Sequence, residues 1–87
     1  MDNVKEIIAQ IKKLSSTVTE NTYDAGIQQG YELLIRLHDL GIAKDNVYQL
    51  LFQYHNSLED GLSRDYVADI LDYVAGWCSP QYRIWET

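Results

Sequence analysis

The sequence predicts a small all-α protein, a four-helix bundle with an aromatic C-terminal tail folded back on it. Apolar side chains recur at three- and four-residue intervals in four separate stretches, which is the spacing of one face of a helix. The breaks between them are short and rich in Ser, Thr, Asn, Asp and Gly, residues that end helices and make turns. Apart from Tyr82 to Trp85, no segment alternates apolar and polar residues over the length of a strand. With 87 residues the chain is expected to hold one core, so residues 1–87 read as a single domain.

The first helix is expected over about 3–15, with Val4, Ile7, Ile8, Ile11 and Leu14 on its apolar face. Asn3 is placed to cap it with Glu6 three residues on, and Lys12 and Lys13 suit the negative end of the dipole. After the break SSTVTEN, a second helix is expected over about 22–40. Tyr23, Ile27, Tyr31, Leu34 and Leu37 form its stripe, widened by Leu33, Ile35 and Leu40, so this helix is expected to be central. Gly26 and Gly30 share a face, which costs helix propensity but admits a close neighbour. Gly41 reads as a left-handed stop with Ile42 as its apolar follower.

The third helix, about 44–58, carries Val47, Leu50, Leu51, Tyr54 and Leu58, and its short connection to the second predicts an antiparallel hairpin. Tyr48 and Phe52 make a second apolar stripe, to be covered by the tail, the first helix or another copy of the chain. A fourth helix, about 63–78, is expected to start at a Ser63 cap. It presents Val67, Ile70, Leu71, Val74, Trp77 and Cys78, and Ser79-Pro80 stops it. The tail, residues 79–87, concentrates Tyr82, Ile84 and Trp85, which are expected to cover the small core.

Composition narrows the function. Thirteen acidic against seven basic side chains give a formal charge of −6, the wrong sign for binding a phosphate backbone or an anionic membrane surface. A basic protein partner suits that charge. A single cysteine, Cys78, forms no internal disulfide, which points to a reducing cytoplasm. The first fifteen residues lack a signal-peptide apolar run, and no stretch approaches the ~20 apolar residues of a bilayer span, so a soluble protein is expected.

The motifs of catalysis and metal binding are missing. His38 and His55 have no second ligand three or four residues away, so no HExxH-type metal pair forms. Cys78, beside Trp77 on an apolar face, reads as an inert thiol. The five glycines make no phosphate loop, and Glu59-Asp60-Gly61 lacks the alternating ligands of a calcium loop. No enzyme activity, cofactor or metal is expected.

What remains is surface. Asp65, Asp69 and Asp72 share a helix face, flanked by Tyr66 and Tyr73. Carboxylates among tyrosines suit an interface, since Tyr offers rigid contact area and carboxylates meet Lys or Arg. Tyr82 and Trp85 of the tail join these as candidate partner-binding residues. In size, acidity and helix number the chain is similar to small bacterial immunity or inhibitor proteins. That likeness of type, carried by no particular residue, implies a non-catalytic module that blocks a basic partner such as a toxin or a nucleic-acid-processing enzyme. The alternative is an accessory or assembly protein, such as a self-associating dimer, acting through Tyr48, Phe52 and the tail.

Overall fold

The computed structural model describes residues 3–85. Among them four α-helices follow one another: α1 (Val4–Thr17), α2 (Tyr23–Asp39), α3 (Lys44–Ser57) and α4 (Leu62–Ala75). A short 3-10 turn, Pro80–Tyr82, lies in the tail. No strand forms among the described residues, so Tyr82 to Trp85 is not one. The last two residues of the expected tail lie outside the described residues.

Local chemistry sets most helix ends. Asn3 caps α1, its side-chain oxygen accepting from the Glu6 amide at 2.9 Å. The helix runs past the expected Ser15 to Thr17, and Ser15, Ser16 and Thr17 turn their hydroxyls back onto carbonyls of Lys12 and Lys13 instead of competing for free amides. Lys12 and Lys13 are therefore not in the last turn. At the end of α2, Gly41 is left-handed at φ 82°. The Ile42 amide bonds to the Leu37 carbonyl and the Gly41 amide to that of His38, which is the Schellman pattern.

Two boundaries differ from expectation. α4 begins one residue before Ser63, with Gly61 at its cap position in a backbone conformation at φ 155° that favours glycine. It ends at Ala75 instead of near 78, because Gly76 adopts φ 87° and the Trp77 amide closes onto the Asp72 carbonyl. Trp77 thus leaves the helix and is 80% exposed instead of lying on the core face.

The core is built from Ile7, Ile8 and Ile11 of α1, Leu33, Leu34 and Leu37 of α2, Val47 and Leu51 of α3, and Tyr66, Val67, Ile70, Leu71 and Val74 of α4. α4, not α2, is central: it packs on each of the other three helices. α3 packs chiefly on α4 and hardly on α2, so the short link does not make a packed α2–α3 hairpin. Leu40 and Leu50, expected on apolar stripes, are about half exposed at 50% and 43%. Ser15 is the one buried polar side chain among the described residues, satisfied by the Lys12 carbonyl and the Tyr54 hydroxyl.

The tail does fold back. Trp85 donates from Nε1 to the Ile42 carbonyl at 3.0 Å and sets its ring edge-on to His38, while Ile84 and Trp85 pack half-buried on the core. The radius of gyration, 12.0 Å, matches a compact chain of this length.

Candidate functional site

α2 and α4 run in the same direction with their faces in register. Tyr23 lies against Tyr66 near their N-terminal ends, and Tyr31, midway along α2, lies against Tyr73 near the C-terminal end of α4. The reason for the close approach is the pair of glycines. A Cβ at Gly26 would stand 3.3 Å from the Tyr66 ring, and one at Gly30 would stand 2.5 Å from the Tyr66 hydroxyl and 2.6 Å from Ile70 Cδ1. Glycine removes those atoms and lets Tyr66 lie across α2. Its hydroxyl donates to the Gly26 carbonyl at 2.6 Å.

Tyr66 is therefore completely buried. It holds the α2–α4 interface together and is removed from the partner-binding set proposed from sequence. Loss of solvent pushes its phenol up to about 12.

The other proposed residues come together on the outside of this helix pair. Asp65, Asp69 and Asp72 remain exposed on α4. Facing them are Asp24 and Glu32 of α2 and Glu20 of the preceding turn, which sequence reasoning did not single out. Three adjoining depressions run between the two rims, sharing Tyr23, Asp24, Ile27, Asp69, Tyr73 and Tyr82 among their linings. Among the described residues, no Lys or Arg lines any of the three. Their volumes, about 370 to 580 Å³, would hold a small molecule, but they are open and merge into one groove. Arg64, the cation nearest the acidic ridge in sequence, gives its guanidinium to Asp60 at 2.6 Å.

The groove floor is aromatic. Tyr31, Tyr73 and Tyr82 meet edge to face, with ring centroids 5.1 to 6.4 Å apart, an arrangement that favours rigid packing. Tyr82 thus brings the tail into the groove wall and is 46% exposed. Exposed Trp77 stands beside Asp69, Asp72 and Tyr82 in the same wall. Trp85 is placed elsewhere, against Ile42 and His38, and does not join this cluster.

The electrostatics show a crowded anionic rim. Partial burial, then the negative charge of Asp69, raises the Asp72 carboxyl above the ordinary carboxylate range. Tyr23 donates its hydroxyl to Asp69, and burial, that bond and the charges of Asp69 and Asp65 all raise its phenol. Tyr31 and Tyr73 are raised as well, first by burial. All of these tyrosines stay neutral near pH 7, leaving the carboxylates as the charge of the groove.

Those carboxylates are spread along the groove instead of gathered at a point. Among the described residues no group of three or more His, Cys, Asp or Glu is placed to hold a metal ion. Cys78 lies half-buried at the groove end, where the tail leaves α4. No helix of the described residues is long and apolar enough to cross a membrane.

On α3, Tyr48, Phe52 and His55 stack in a row with centroid distances of 5.7 and 6.3 Å, and Phe52 is 39% exposed. Neither the tail nor α1 buries this stripe fully. No known protein family, curated protein or solved structure matches this chain.

Two signals for the groove are present in the sequence. Glu20, Asp24, Gln28 and Glu32 recur every four residues, the spacing of one helix face. Tyr66, Ile70 and Val74 also stand four apart, which puts Tyr66 on the buried face of α4.

Proposed function

We propose that the chain is a non-catalytic binding module, immunity-like or inhibitor-like, whose α2–α4 groove engages and blocks a basic protein such as a toxin or a nucleic-acid-processing enzyme. One observation carries this reading: carboxylates from two helices line both rims of a groove that, among the described residues, has no Lys or Arg in its lining. A field of one sign over a shared surface steers an oppositely charged partner and rejects like-charged ones. Tyr73, Tyr82 and Trp77 add contact area of the kind that anchors interfaces. The same charge disfavours direct nucleic-acid binding.

The test is association kinetics with the captured partner at two salt concentrations. Asp69→Lys with Asp72→Lys should slow association markedly and leave helix content intact, and added salt should weaken binding of the parent chain. Tyr73→Ala should act mainly on dissociation. Unchanged rates in the charge-reversed variant would exclude the groove.

A second reading has its own observation, the incompletely covered Tyr48–Phe52–His55 row. Here the chain is an accessory or assembly protein that self-associates through α3. Sedimentation over a concentration series, with Phe52→Glu as the disrupting variant, decides it.

A further inference from the structure

Resting on the groove reading above, we propose that its occupant is a single amphipathic α-helix of the partner, apolar along one stripe and carrying Lys or Arg on both sides of that stripe. The shape of the groove selects this class. Its floor is apolar and half-buried, formed by Ile27, Tyr31 and Tyr73. Its rims are acidic on both sides, with Asp24 and Glu32 along α2 and Asp69 and Asp72 along α4. A ligand that matches both must be apolar in the middle and basic at either flank, and a basic amphipathic helix has that cross-section.

The walls argue for a helix over an extended peptide. Both are α-helices, whose interior backbone amides and carbonyls are already paired along their own axes. They present no open sheet edge, so a strand laid on the apolar floor would lose water from its backbone groups without gaining partners. A helix satisfies its own backbone and needs only side-chain contacts. The length also suits: Tyr23 to Ile35 of α2 spans about 18 Å at the helical rise, or roughly three turns. Exposed Trp77 extends the wall on the α4 side, where it offers a face to an arriving apolar or cationic side chain.

The experiment uses the full chain and two synthetic peptides of identical composition. One places Leu at helical a and d spacing with Lys on both flanks, and the other scrambles the order so that no apolar stripe forms. Titration calorimetry should show the patterned peptide binding at least about tenfold tighter, with a gain of helical circular dichroism and a fall in affinity as salt rises. Asp24→Lys combined with Asp69→Lys, one change on each rim, should abolish that preference, while Phe52→Glu on α3 should leave it. Equal binding of the two peptides overturns the helix inference and leaves the basic-partner reading standing. Failure of both peptides to bind overturns both. Binding lost in Phe52→Glu but kept in the rim variant moves the helix site to α3 and overturns the assignment to this groove.

Discussion

The hydroxyl of Tyr66 crosses from α4 to the carbonyl oxygen of Gly26 on α2, 2.6 Å away and shut off from solvent. This bond and the glycine face beneath it fix the spacing of the two helices that form the groove. A change here should be felt in stability first and in binding as a consequence.

Gly30→Ala is therefore expected to destabilise, although alanine is the better helix former by about 1 kcal/mol. The added methyl would meet the Tyr66 hydroxyl and Ile70 Cδ1 at 2.5 and 2.6 Å, and overpacking of that kind costs about 1 to 3 kcal/mol. Urea unfolding of Gly30→Ala, Tyr66→Phe and the double variant gives the coupling. Removing the hydroxyl should cost less in the Gly30→Ala background than in the parent. Independent, additive losses would show that the two residues do not share the space.

Alkaline pH should unfold the chain from the same place. The folded protein holds the Tyr66 proton more tightly than the unfolded chain does, with a folded value of about 12 against an ordinary value of 10.0. The unfolded state thus loses its proton first. The stability contributed by Tyr66 is fully present below pH 10 and is lost as pH rises through the folded value. Tyr23, also raised, adds to the slope. Unfolding free energy measured from pH 8 to 12 should drop above pH 10 and do so less steeply in Tyr66→Phe.

Asp72 gives the opposite end of the pH scale. Its carboxyl is raised by burial and by Asp69, so the folded state binds this proton better than the unfolded state. Its ionisation then costs stability as pH rises above the ordinary carboxylate value of 3.8. Asp72→Asn should raise the melting temperature at pH 7, and the gain should vanish near pH 3. An equal gain at both values would assign the effect to packing.

The two tryptophans should separate cleanly. Trp85→Ala loses the hydrogen bond to Ile42 and half-buried contact with the core. The expected cost is about 2 kcal/mol, below that of a fully buried aromatic. Trp77→Ala, at an exposed site, should stay within about 0.5 kcal/mol. If the groove binds its partner as proposed, Trp77→Ala instead weakens binding, and Trp85→Ala at a temperature where it remains folded does so much less. Thermal melts and titrations of both variants check this.

Much of the fold was legible because its determinants are local. Helix existence followed from apolar spacing, and the ends at Asn3 and Gly41 from side-chain and backbone chemistry within a few residues. The end of α4 is local as well: Gly76 followed by apolar Trp77 makes a left-handed stop, which ends the helix before Pro80 can. The acidic ridge of α4 was legible as a stripe, and so was the covering role of the tail.

By itself the sequence determined the helices, the acidic balance, most of the core and the carboxylates of one rim, since each depends on spacing along a single element. Only the tertiary structure decided which element faces which. Tyr66 is buried because Gly26 and Gly30, about forty positions away, leave room for its ring. Asp24 and Glu32 become the second rim because α2 runs alongside α4 in the same direction, while α3 turns away to pack on α4. A helix presents several faces of similar apolarity, and the choice among them is made by shape fit between surfaces distant in the chain.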